Sequence, residues 1–283
     1  MPVLAQAIKA SLECRLKYRI SLDRPCDVYE LITQHGLDLR FMEVTSLEGL
    51  YLADGAAGQI NVCAHRPSGM QRFIAAHELG HHIFGHGAMI DRELDYKERF
   101  SSFSSDEKLA EVFARFLLMP LRAVHTGFKN IGAVLGHLEP SDVFRVSCWL
   151  GVGYTTLLHQ IRFSLKMIEQ QQFERLIKTK PQQIKELIAP PDRPYGRGEL
   201  WPVDVHWDAQ RLHIRVGDVV DGLAENSSSL LFSLGSSRYR AENVGETTCP
   251  IKGGGSAMLS IARNPYVGLY KYRYLPEVED AGI

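Results

Sequence analysis

The sequence predicts an α+β chain: helices around a small sheet, then a helical segment, then an all-β C-terminal domain. Three observations carry this. Apolar residues recur at helical spacing through roughly the first 165 residues. Proline and glycine cluster between about Lys178 and Pro202, in TKPQQIKELIAPPDRPYGRGELWP. Beyond that, apolar and polar residues alternate. The expected division is residues 1–125, a helical segment at 126–178, a linker at 179–200 and a β-domain at 201–283.

Taken in order, Val3, Leu4, Ala7, Ile8, Leu12 and Leu16 predict a first helix. A second follows Pro25, with Val28, Leu31 and Ile32 inward, and stops at Gly36. Leu37 to Val44 reads as a strand. Gly49–Leu52 and Gln59–Cys63 flank Asp54-Gly55, a hairpin signal. A helix over about Gly69 to Phe84 carries the stretch AAHELGHHIFGH. The polar interval DRELDYKERFSSFSSD precedes another helix, which Ser105 or Asp106 can cap and Pro120 ends. Ser141 to Phe163 reads as two helices around a Gly151-Val152-Gly153 turn. VDVHW, LHIRV, LLFSL, AMLSIA and VGLYKYRYL read as strands.

Composition narrows the function. Lys plus Arg (32) nearly cancels Asp plus Glu (33), so net charge gives no support to a nucleic-acid or membrane-surface binder. The five cysteines are odd in number, scattered and without a C-x-x-C. That points to a reducing compartment, the cytoplasm, and against a thiolate zinc site. No apolar run of membrane-spanning length occurs.

The chemistry concentrates in His77-Glu78-Leu79-Gly80-His81, an H-E-x-x-H pattern. On a helix, residues four apart share a face, so both imidazoles can aim at one point. Zn²⁺ suits such a nitrogen pair, and Glu78, rotated about 100° around the axis, sits in the general-base position. The metzincin extension fails: it wants glycine at 84 and histidine at 87, where Phe84 and Gly87 stand. His86 comes one residue early and on the wrong face for the same ion. A third ligand is therefore sought among carboxylates. Glu107, Ala110, Glu111 and Ala114 share a stripe of the next helix, and the small alanines permit close approach. One glutamate fits as ligand and the other as partner of a ligand histidine. His82, His86 and Tyr96 are candidate donors to a developing oxyanion.

RFIAAHELGHHIFGH (Arg72–His86), EKLAEVFARFLLMP (Glu107–Pro120) and the lead-in GLYLADGAAGQINVC together resemble the ImmA/IrrE family of zinc metallopeptidases. The resemblance implies a gluzincin-like endopeptidase fold. It assigns the third ligand to Glu107, thirteen residues before Pro120, beside His77 and His81. Glu111 stands where the family usually has asparagine or aspartate, a position behind the ligands. It also implies a substrate, a helix-turn-helix repressor whose cleavage releases phage, mobile-element or stress genes. SDVFRVSCWLGVGYTTLLHQIRF resembles the helical segment that follows the peptidase core. Arg145, Ser147, Tyr154 and Thr155 there are the residues a DNA contact would use, though packing or substrate docking is the preferred reading. GDVVDGLAENSSSLLFSL and GGGSAMLSIARNPYVGLYKYRYLPE are similar to the chagasin-like inhibitor domain, which implies an immunoglobulin-like sandwich. Its inhibitory motifs are replaced here, by Asn226-Ser227-Ser228-Ser229 and Arg273-Tyr274-Leu275-Pro276, so a binding module is expected. The competing reading of the whole chain is a zinc scaffold that binds a repressor without hydrolysing it.

Overall fold

The computed structural model describes residues 3–53, 58–87, 89–92, 104–188, 198–225 and 228–276. Among the described residues the chain is mixed α/β, with three small sheets. It divides into two compact units, Met1–Pro181 with Val267–Tyr270, and Gln182–Tyr266 with Lys271–Ile283. No helix among the described residues is long and apolar enough to cross a membrane. All five cysteines are free and buried.

The first unit opens with α1 (Val3–Lys17) and α2 (Val28–Gln34). Asp27 caps α2, its Oδ1 accepting the N–H of Tyr29 and Glu30 at 3.2 and 3.3 Å. Gly36, at φ +77°, ends it. Strands β1 (Asp38–Met42), β2 (Leu47–Leu52) and β3 (Gln59–Cys63) follow. β2 and β3 pair antiparallel with Leu52 opposite Gln59. The Asp54-Gly55 turn lies outside the described residues. β1 pairs parallel with β3. Next come α3 (Ser68–Ile83), β4 (Met89–Arg92), which joins the edge of β2, and α4 (Ser105–Leu118). Helices α5 (Leu121–Asn130), α6 (Pro140–Leu150), α7 (Tyr154–His159) and α8 (Gln170–Leu176) complete the unit's helices. α3 packs on β2 and β3 on one side and along α4 on the other, while α1 packs on α4.

Helix α1 forms where its apolar spacing predicts, but most of those apolar residues are not its inward face. Val3, Leu4 and Leu16 are exposed, and the inward face is Ala7, Ser11, Cys14 and Arg15. Arg15 is fully buried and donates to the carbonyls of Leu117, Ser21 and Arg24. A guanidinium there meets hydrogen-bond demand of main-chain carbonyls at the end of α4 and in the loop after α1, which a leucine could not do.

The segment around Gly151-Val152-Gly153 is a packing feature. A Cβ on Gly69, in the first turn of α3, would lie 2.7 Å from Val152 C and Gly153 N. Ser147 and Tyr154 are buried, donating to Phe144 O (2.8 Å) and Leu176 O (2.9 Å). Arg145 is half-buried and Thr155 exposed.

The second unit starts inside the stretch read as a linker, with α9 (Pro181–Ile188), anchored by buried Ile184. Its strands are β5 (Leu200–Pro202), β6 (Arg211–Arg215), β7 (Val219–Asp221), β8 (Leu231–Gly235), β9 (Arg238–Ala241), β10 (Gly245–Pro250) and β11 (Ser256–Ala262). They form two sheets, β10-β11-β6 and β5-β7-β9-β8, each with one parallel pairing. Buried Asp218 ties them together locally, accepting from Glu199 N (2.8 Å), Arg215 N (2.9 Å) and Trp201 Nε1 (3.3 Å). VDVHW is not a strand: Asp204 Oδ1 accepts His206 N at 2.9 Å and winds Val205–Trp207 into a 3₁₀ turn. VGLYKYRYL yields β12 (Gly268–Leu269), which belongs to the first unit and pairs antiparallel with β1 there, Phe41 opposite Gly268.

His35, just past α2, sits against the Tyr18 ring at 4.6 Å and 3.7 Å from Cys14 Sγ. Burial, with help from Lys17 and His82, pushes its pKa down to about 4. The folded state therefore binds fewer protons than the unfolded chain between pH 6.5 and 4. Stability is expected to be complete above about pH 6.5 and to fall by about 2 kcal/mol as pH drops through that window, after allowance for the ring's partial exposure. Urea melts at pH 7 and pH 4.5 check this, and His35→Gln should flatten the difference. An unchanged difference in that variant places the effect elsewhere.

Candidate metal centre

Three side chains from two helices meet at one point. α3 is buried on almost all sides: His77 is 4% exposed, Glu78 and His81 0%. It runs close to α4 because Gly80 meets Ala110. A Cβ on Gly80 would lie 2.9 Å from Ala110 Cα and 3.2 Å from its Cβ. α4 is started by Ser104, one residue before the expected cap, with its Oγ accepting Glu107 N at 3.2 Å. That bond fixes Glu107 in the first turn, facing α3.

His77 Nε2 and His81 Nε2 are 3.0 Å apart. Glu107 Oε2 lies 3.1 Å from His77 Nε2, and Oε1 lies 3.4 Å from His81 Nε2. The three form a group that could hold a metal ion. The outer nitrogens decide the tautomers. His77 Nδ1 lies 3.7 Å from Glu111 Oε2, and His81 Nδ1 lies 2.9 Å from His86 Nδ1. With protons on those outer nitrogens, both Nε2 atoms present lone pairs to each other and to a carboxylate. Three such donors turned on one point repel, and the arrangement is favourable only around a cation.

Without a cation, a proton on one of those Nε2 atoms takes its place beside the carboxylate. Burial works to raise the Glu107 carboxyl. Hydrogen bonds and charge from His77 and His81 outweigh it and hold Glu107 well below the usual carboxylate range. Glu111 is also held low, against its burial, by His77 and by Arg115. Arg115 clamps Glu111 Oε1 with Nε and Nη2, both at 2.8 Å, and the pair is buried. The longer side chain found here in place of asparagine or aspartate thus gains its own arginine.

Glu78 is enclosed by the sheet. A Cβ on Gly49 of β2 would fall 2.2 Å from Glu78 Oε1 and 2.7 Å from Ile74 Cγ2. Only glycine lets β2 pass so near the carboxylate, and nothing in the sequence pattern singles out Gly49. Of the candidate oxyanion donors, His82 Nδ1 is engaged by Tyr51 OH at 2.9 Å, and His86 is engaged behind His81. Burial lowers the proton affinity of both rings. Tyr96 lies outside the described residues.

Residues 32–148, from within α2 to within α6, match the family model described as the IrrE N-terminal-like domain, Peptidase_M78. No curated protein matches the chain.

Proposed function

We propose, on the premise that residues 32–148 match the IrrE N-terminal-like domain, that this chain is a metallopeptidase of the ImmA/IrrE type, a gluzincin-like, zinc-dependent endopeptidase. The observation that carries the proposal is the convergence of His77, His81 and Glu107 with Glu78 buried beside them. A tetrahedral ion with arms of about 2.0–2.1 Å keeps its ligand atoms about 3.3–3.4 Å apart. The two nitrogens here are 3.0 Å apart, Glu107 Oε2 is 3.1 Å from that of His77 and Oε1 is 3.4 Å from that of His81, which supports a zinc-sized ion in that donor set. Bound there, zinc supplies Lewis-acid polarisation of a peptide carbonyl and acidifies water towards neutral pH.

The chain's own residues do the rest. A Glu78 carboxylate oxygen takes the proton of the attacking water and hands it to the leaving amine. Glu111, held by Arg115, keeps the His77 ring oriented. β2 walls the carboxylate off through Gly49. The substrate we infer is a protein, a helix-turn-helix repressor, acted on in the cytoplasm. That choice rests on the family. The second unit we read as an immunoglobulin-like sandwich serving as a binding module, a reading supported by its having two separate sheets.

Co-expression of the chain with a helix-turn-helix repressor, scored by mass spectrometry for a new repressor terminus, tests the assignment. Intact repressor with zinc-loaded protein across a panel of such partners counts against it. Gly49→Ala is expected to cost about 1–3 kcal/mol of stability, because Glu78 and Ile74 side chains can shift. Displacing Glu78 by about 1 Å should still slow cleavage on the order of 10²-fold. A Gly49→Ala protein with normal turnover would show that Glu78 tolerates displacement.

A further inference from the structure

We propose that His86 is a positioning residue for the metal centre: its Nδ1 accepts the Nδ1–H of His81 and so fixes that ring's tautomer and tilt. The inference rests on the reading of His77, His81 and Glu107 as ligands and extends it to a residue five positions on. Two imidazole nitrogens 2.9 Å apart share one proton. If His81 turns the lone pair of Nε2 to the metal, its proton is on Nδ1. His86 must then offer a lone pair at Nδ1 and carry its own proton on Nε2. Asp106 Oδ1, at the start of α4, lies 3.6 Å from that Nε2 and favours the proton there. Phe84 stacks on the His86 ring at 5.7 Å and 27°.

The backbone explains how His86 gets there. In a continuous helix, residue i+5 points about 140° away from residue i. α3 does not continue. Gly85 adopts φ +67°, its N–H donates to His82 O at 3.1 Å, and His86 N–H donates to His81 O at 3.0 Å. This pair of bonds is a Schellman closure, which folds the chain back over the last turn. A Cβ on Gly85 would meet nothing within 4 Å. Glycine is therefore needed for its left-handed backbone and not for space.

The test uses the full chain and zinc itself. Zinc affinity is measured against a chromophoric chelator for the wild type, His86→Phe and His86→Gln, alongside the melting temperature of each metal-free protein. We expect His86→Phe to bind zinc about 10–100-fold more weakly and His86→Gln, whose carbonyl can accept the same proton, to recover most of the loss. Nitrogen-15 NMR of zinc-loaded wild type should find His81 protonated at Nδ1 and His86 at Nε2, a measurement that needs no variant to fold. Unchanged affinity in His86→Phe, equal losses in both variants with lowered metal-free melting, or a proton on His86 Nδ1 each overturn the proposal. A wild type that takes up no zinc removes the metal reading itself, a distinct outcome.

Discussion

Glu78→Gln is expected to fold, take up zinc and fail to cleave. Glu78 is fully buried in α3 and glutamine is its isostere, so the packing against β2 survives. Neither ligand histidine nor Glu107 is altered, so metal content should match the wild type. The amide cannot accept a proton from water, and general-base assistance is worth about 10²–10⁴-fold in rate. Turnover should fall by at least that factor, and the variant should retain its substrate as a complex that co-purifies. The same experiment separates the enzyme from a zinc scaffold that binds a repressor without cutting it. For a scaffold, wild type and Glu78→Gln would leave the partner equally intact. If Glu78→Gln cuts at the wild-type rate, Glu78 is not the base and the mechanism above is wrong.

Glu107→Gln should have the largest effect on the metal. It removes the one anionic donor of the three and leaves two neutral nitrogens 3.0 Å apart with a weak amide oxygen. Loss of an outer partner costs about 10–100-fold in metal affinity, and loss of the charged ligand itself should exceed that. Dialysis followed by metal analysis should find Glu107→Gln essentially empty and inactive. Glu111→Gln, in contrast, should keep zinc with the smaller, outer-partner penalty. Its cost in stability should be the larger of the two, because it leaves the guanidinium of Arg115 without its carboxylate inside the protein. Should Glu111→Gln lose zinc while Glu107→Gln retains it, the two glutamates have been assigned the wrong way round.

Much of the centre is legible in the sequence because it depends on intervals within single helices. The four-residue step from His77 to His81 needs only helical pitch, and the shared stripe of Glu107, Ala110, Glu111 and Ala114 needs only the same. Gly80 against Ala110 gives those small residues their reason: they let the two stripes come within ligand distance. The hairpin of β2 and β3 was also readable, since alternation and a turn signal fix both strands. In the second unit β5, β7, β9 and β10 escaped notice. Val219–Asp221 is only three residues long, and Arg238–Ala241 alternates arginine with its apolar residues.

The sequence by itself determined which residues could bind a metal and on which helical faces they stand, because local periodicity governs faces. Only the tertiary structure decided what lies opposite each face. It buries Arg15 on the inward face of α1, brings Gly49 of β2 against Glu78, and lays Gly268–Leu269 along β1. It also turns His86 back onto His81 once Gly85 has broken the helix. The physical reason is that a repeat of 3.6 or 2 residues states a direction relative to one axis, while contact between distant segments depends on burial, backbone hydrogen-bond demand and steric fit summed over the whole fold.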